Sequence, residues 1–230
     1  MTKNLLFLLV ILLGFQSSYS QKKVIEHLQD WDNQKMYWGF YLGVNKKDYK
    51  ISYKMDDVYI RSEATPGFNV GLIGDLKLHN NISLRLEPGL SSNTKKLFFT
   101  HIPGGEKDSV RTLNSTYLRI PLLLKFSTNR FRNIRPYVVG GVSYDYNFSS
   151  NEDNPDDNFE GEFRMKKNNF TYEIGVGIDI YLYYFVFSPS IRGVFAINNE
   201  LVRDHTANSP WTGPIDYFGT RGVFLKLAFH

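Results

Sequence analysis

The sequence predicts an all-β protein: an eight-stranded antiparallel transmembrane β-barrel of the outer-membrane type, behind an N-terminal signal peptide. Three observations predict it. Polarity alternates with a period of two along eight separate runs, the connections between runs are alternately short and long, and the chain opens with an export signal.

The signal comes first. Lys3 supplies a short positive start, residues 5–15 (LLFLLVILLGF) are an apolar run too short to span a bilayer, and Ser18 and Ser20 put small residues at the cleavage positions. Cleavage is expected before Gln21. The expected domains are therefore a signal peptide at 1–20, a periplasmic lead segment at 21–36 and the barrel at 37–230. The chain has no cysteine, which excludes both a lipoprotein anchor and disulfide staples. An exported chain of this size must then be held by a large core or a closed sheet. The formal charge of +4, or +3 without Lys3, is too mild to argue for nucleic acid. No later segment reaches the roughly 18 consecutive apolar residues of a transmembrane helix.

The eight runs are 37–49, 67–79, 81–98, 115–127, 134–149, 168–182, 184–197 and 220–229. Each can supply the about 9–11 residues that a tilted membrane-crossing strand needs. In the fifth run, Val138, Val142, Tyr144, Tyr146 and Phe148 alternate with Arg135, Ser143, Asp145 and Asn147. In the sixth, Phe170, Tyr172, Ile174, Val176, Ile178 and Ile180 alternate with Thr171, Glu173, Gly175, Gly177 and Asp179. Tight turns are expected near 79–81, 128–133 and 182–184, and long loops at 55–66, 99–114, 150–167 and 198–219. Short and long connections must lie at opposite ends, and outer-membrane barrels keep their short turns on the periplasmic side. Both termini are then periplasmic. Residues 21–35, polar with scattered Val24, Ile25, Leu28 and Trp31, read as a loosely ordered lead with at most a helical turn.

A soluble barrel would turn its apolar faces inward, and a membrane barrel turns them toward lipid. The polar faces decide. They carry Arg85, Glu87, Arg119, Lys125, Asp145, Glu173, Asp179 and Arg192, four positive and four negative, among Gly89, Ser143, Gly175, Gly177, Ser188 and Ser190. Small residues with balanced charge suit a narrow interior, where an unpaired charge is costly. These eight residues are expected to form an interior ion network. Leu118, Ile120, Leu122, Leu124 and Phe126 form the complementary apolar stripe, and aromatics gather near strand ends as an interfacial girdle requires. An eight-stranded barrel is filled by its own side chains, so a general diffusion pore is not expected.

WGFYLGVNKKDYKISYK, PGFNVGLIGDLKL, ISLRLEPGL, STYLRIPLLLKFS, IRPYVVGGVS, SSNEDNPDDN, FRMKKNNFTYEIGVGIDIY, FSPSIRGVF and SPWTG, in this order, resemble the PorT family of the Bacteroidetes, from about Lys35 to Phe229. The departure is His230 after Phe229, where many outer-membrane barrels end on an aromatic. The resemblance implies a non-enzymatic outer-membrane component of the type IX secretion system, which exports proteases, adhesins and gliding-motility proteins. It implies other secretion subunits, outer-membrane lipid and possible periplasmic proteins as partners, with no cofactor and no catalytic residue. A generic small barrel for adhesion or envelope integrity is the alternative, and an outer-membrane lipid-modifying enzyme the lesser one.

An enzyme at the outer rim would need a nucleophile with a base. Of the five histidines, only His101 and His205 fall in outside loops, and neither stands beside a G-x-S-x-G turn. No histidine pair has metal-ligand spacing on a strand face. The acidic stretch 149–158 lacks the glycine and terminal glutamate of an EF-hand loop, so it reads first as a hydrogen-bonded surface loop or partner-facing epitope, with a calcium-binding loop as the lesser alternative. Asp153, Asp156, Asp157 and Trp211 are the candidate partner-facing residues. Trp31 and Trp38 could dock a periplasmic partner.

Overall fold

In the computed structural model, which describes residues 25–54, 58–102, 105–206 and 208–230, ten strands close into a single antiparallel ring. They are β1 (Met36–Tyr53), β2 (Ile60–Ala64), β3 (Pro66–His79), β4 (Ile82–Leu86), β5 (Gly89–Phe99), β6 (Val110–Ser127), β7 (Ile134–Asn147), β8 (Asn168–Tyr181), β9 (Val186–Ala196) and β10 (Ile215–Phe229). Thr65 interrupts one wall segment between β2 and β3, and Glu87-Pro88 interrupts another between β4 and β5. Pro88 has no N–H for the ladder, which is the local cause of the second break. The ring therefore has eight staves, one for each alternating run. It closes where β1 pairs with β10, from Phe40↔Phe229 upward, and with β3 on its other side. The expected signal peptide and residues 21–24 lie outside the described residues.

The connections sort into two rims. One carries the short turns near 80–81, 128–133 and 182–185, together with the lead segment and His230. The other carries the long connections.

Several staves run further than the alternation predicts. β1 continues to Tyr53, β6 starts at Val110 and β10 starts at Ile215, so the expected loops 55–66, 99–114 and 198–219 are partly strand. The reason is an inversion of polarity along single strands. The outward side of β1 reads Trp38, Phe40, Leu42, Val44 and then Lys46, Asp48, Lys50, while its inward side passes from Asn45 and Lys47 to Tyr49. β6 does the same, with Thr112 and Asn114 outward above Ile120, Leu122 and Leu124, and Leu113 inward above Arg119 and Lys125. The alternation keeps its period but exchanges its faces where the barrel leaves the apolar layer. A pattern reader locked to one phase stops there.

In the upper tier the interior is an ordinary hydrophobic core. Tyr49, Ile60, Leu97, Phe99, Leu113, Ile215 and Phe218 from the staves meet Phe163, Met165, Leu201 and Trp211 from the two longest connections. The loops after β7 and β9 thus fold inward as a cap.

The lead segment is also seated, not loose. Gln29–Asn33 form a 3-10 turn beneath the short-turn rim. The Arg135 Nη1 lies 3.0 Å from the Asp32 carboxylate and Arg130 3.7 Å from it, and Lys77 Nζ donates to the Asp32 carbonyl at 2.7 Å. Tyr37 OH donates to the Trp31 carbonyl at 2.9 Å, and the two rings stack at 5.1 Å. Trp31 is therefore engaged with the barrel, whereas Trp38 is 70% exposed on the outer wall.

Candidate functional site: a sealed lumen between two covered rims

The interior of the lower tier holds all eight sequence-predicted network residues, and each is buried. Strand register explains how they meet. Asp75 lies directly opposite Arg85, and Arg119 directly opposite Asp145, so these pairs are cross-strand neighbours on one face. Glycines face the bulkiest members: Gly89 opposes Arg119, Gly175 opposes Arg192, and Gly141 opposes Glu173. A Cβ on Gly175 would lie 2.6 Å from Arg192 Cγ, and one on Gly177 2.4 Å from the Tyr137 hydroxyl. The inward glycines make room for long side chains.

Glu87 is the hub. Its carboxylate accepts both Nη atoms of Arg192 at 2.7 Å, Lys226 Nζ at 2.8 Å, and Arg85 Nη1 at 3.4 Å. Arg85 reaches on to Asp75, with Nε at 2.8 Å from Oδ1. Arg192 lies 3.7 Å from Glu173, which accepts Arg119 Nη2 at 2.7 Å, and Arg119 Nε donates to Asp145 at 3.1 Å. Lys125 pairs separately with Asp179 at 2.6 Å, and Ser188 donates to the same carboxylate at 2.7 Å. Asp75 and Lys226 are members that the alternation did not single out. They complete the balance: each of the five acids here has a basic partner and each of the five bases an acidic one. Their signal in the sequence was weak, since each is a single charge within an otherwise apolar or glycine-rich run.

Such a lumen is packed by its own ions. Below the network, at the short-turn rim, a small cavity of about 40 Å³ is lined by Trp31, Tyr37, Arg135, Tyr181 and His230 among others.

At the long-loop rim the four partner-facing candidates separate. Asp153 and Asp156 are exposed, and Asp153 pairs with Lys167. Asp157 and Trp211 are buried, which corrects the expectation that they face a partner. Asp157 caps the 3-10 turn Asn158–Glu160 by accepting Phe159 N–H at 3.0 Å, and also accepts His205 N–H at 3.2 Å. Its carboxyl feels an upward push from desolvation, which these hydrogen bonds and the neighbouring His205 outweigh, so it is held below the ordinary carboxylate range. Trp211 stands edge-on to Phe159, with ring centroids 4.8 Å apart, and donates Nε1–H to the Asp108 carbonyl at 2.9 Å. Sequence reasoning missed this because an aromatic in a long loop looks exposed until another loop covers it.

The other acids of 149–158 also serve the loop itself. Glu152 accepts Lys167 N–H at 2.7 Å, and Asn154 Oδ1 accepts Asp156 N–H at 3.1 Å as an Asx turn. Among the described residues no three acidic or histidine side chains converge as a metal site. His101 Nε2 meets the Pro210 carbonyl at 2.8 Å and His205 Nδ1 meets Asp157 at 3.2 Å.

Outside, the wall is apolar from Trp38 and Phe40 to Val44, across Leu72, Leu122, Leu124 and Val138, to Ile174, Ile191 and Leu225. Aromatics flank it: Phe40 stacks on Phe229 at 5.2 Å near one margin and Tyr172 on Phe195 at 5.1 Å near the other. An exposed apolar belt around a closed, ion-filled antiparallel ring defines a β-barrel of the outer membrane. The family comparison agrees: residues 19–202 match the model described as "Outer membrane protein beta-barrel domain", and the chain belongs to that family. β10, beyond the matched residues, is the stave that closes the ring.

No curated protein matches the sequence. Solved structures similar in overall fold include OprG of Pseudomonas aeruginosa, at 14% identity and TM-score 0.47, covering 85% of this chain and 94% of that one. Ail of Yersinia pestis has 13% identity, TM-score 0.37 and coverage of 85% and 97%. LpxR of Salmonella typhimurium has 10% identity, TM-score 0.27 and coverage of 83% and 99%.

Proposed function

We propose that this protein is a non-enzymatic subunit of the type IX secretion machinery that works through its rims. The sealed lumen supports the second half of this reading. With Glu87, Glu173 and their cations filling the interior, cargo has no path through the barrel. The resemblance of the mature chain to the PorT family supports the first half. The signal at 1–20 is cleaved on export, and the short-turn rim with both termini faces the periplasm. The seated segment 25–35 is then the surface offered to periplasmic partners.

Deleting the gene and measuring secretion of signal-bearing cargo tests this. Loss of secretion, restored by the wild-type gene, is expected. Normal secretion with normal surface motility would leave the second reading, a generic small barrel for adhesion or envelope integrity. The family match favours that reading, since it carries no secretion role. The non-enzymatic proposal is tested by lipid deacylase assays on the purified barrel, with His101→Ala and His205→Ala as controls. No activity above those variants is expected.

A further inference from the structure

Above the apolar belt the ring is short of one strand. β7 stops at Asn147, opposite Tyr117, while β6 rises to Val110. On the far side of the opening the cap rebuilds part of the wall. Glu200 N–H donates to the Phe218 carbonyl of β10 at 2.8 Å, Lys166 N–H to the Glu200 carbonyl at 2.9 Å, and Met165 and Leu201 form a bridge. In order around the upper tier stand β10, the 199–202 segment, the 164–166 segment, an opening, and β6.

The opening is a cavity of about 290 Å³ between Arg111–Ser115 of β6 and Asn151, Glu162, Phe163 and Met165 of the cap. The β6 edge that borders it is an open hydrogen-bonding edge. Just below, Thr116 N–H donates to Ser149 Oγ at 3.2 Å and its carbonyl accepts Phe148 N–H at 2.8 Å, so Thr116 aims its main chain away from β5. Main-chain groups alternate sides along an antiparallel strand, so Thr112 and Asn114 aim theirs the same way. Among the described residues, neither has a main-chain partner there. At about 3.4 Å per residue, the edge from Val110 to Asn114 spans roughly 14 Å.

The cap loop beside the opening is acidic: residues 149–163 hold six acids and no base, Glu162 lines the opening, Asp156 and Glu160 are exposed, and the one basic lining residue, Arg111, is engaged with Asn158. We propose that this slot receives an extended, basic peptide segment of another protein, which adds to the ring as a strand paired with the β6 edge. Open edges take up extended chains through main-chain hydrogen bonds, and natural sheets otherwise cover or blunt them. The apolar floor of Phe163 and Met165 would take one inward side chain, and the acidic loop would take the cationic ones. This inference does not depend on a secretion role.

The test uses the full mature barrel in detergent micelles and a fluorescent synthetic peptide alternating threonine with lysine, read by anisotropy. Saturable binding is expected, weaker at least tenfold for a glutamate-for-lysine peptide and for a backbone N-methylated lysine peptide. Thr112→Pro, which removes one slot-facing N–H and no bond to β5, should weaken binding about tenfold. Asp156→Lys/Glu160→Lys should do likewise. Equal binding of the N-methylated peptide would overturn the proposal, because charge alone would then suffice, and that arm needs no altered barrel. So would unchanged binding in a folded Thr112→Pro barrel. A concentration-dependent dimer abolished by Thr112→Pro would assign the edge to a second copy and overturn it as well.

Discussion

Arg192 lays both Nη atoms on the Glu87 carboxylate, each at 2.7 Å, in the middle of a barrel where both side chains are almost wholly buried. Glu87 also faces Arg85 and Lys226, so Glu87→Ala removes the acidic partner of Lys226, the shortest ion pairs of Arg192 and one contact of Arg85. Breaking a buried pair by removing one partner costs about 3–5 kcal/mol. Glu87→Ala should therefore unfold at clearly lower temperature in a heat-modifiability gel. Arg119→Ala and Glu173→Ala should fall by a similar order, since each removes the other's shortest ion pair. Unchanged unfolding in all three would contradict the network.

The inversion of polarity along β6 makes a paired prediction. Leu122→Arg puts a charge on the apolar outer belt and should destabilise the folded barrel by about 2–4 kcal/mol, the range for arginine near the bilayer midplane. Thr112→Arg sits on the same strand and the same side, above the belt, and should cost close to nothing. Urea titration in lipid vesicles measures both. Equal penalties would place the lipid boundary elsewhere.

The cap should loosen in acid. Asp157 is held below the ordinary carboxylate range in the folded state, so its contribution is present above the unfolded value near 4 and is lost as pH falls through the lower folded value. Protease cleavage within 149–163 should rise below about pH 4 in the wild type. Asp157→Asn should show that raised cleavage already at neutral pH and little further change in acid. A wild-type profile flat through this range would sink the assignment.

Trp211 ties the two cap loops together through Phe159 and to the connection before β6 through the Asp108 carbonyl. Trp211→Ala removes a buried indole, a change that costs about 3–5 kcal/mol in a well-packed core. The loss should be local: faster hydrogen exchange and proteolysis at the long-loop rim, with the heat-modifiability of the barrel nearly intact. A global loss would mean that the cap and the membrane tier unfold together.

At the other rim, Asp32 gathers Arg130, Arg135 and the Tyr181 hydroxyl, the last at 3.3 Å. Asp32→Ala should raise hydrogen exchange across 25–35 and leave the strands unaffected. Exchange that is already fast in the wild type would argue for a free tail.

The sequence by itself determined the eight-stave barrel, the placement of short and long connections, and the inward faces with Arg85, Glu87, Arg119, Lys125, Asp145, Glu173, Asp179 and Arg192. All of these follow from a period of two and from the cost of unpaired charge, which act along one strand at a time. Only the tertiary structure decided which ions pair, because pairing depends on register between strands: Arg192 finds Glu87 across the lumen, far from it in the chain. It alone decided that Asp157 and Trp211 are buried, since burial of a loop residue depends on which other loop lands on it. It alone showed that the staves outrun the apolar layer, because a strand that exchanges its faces at a solvent boundary looks, residue by residue, like the end of a strand.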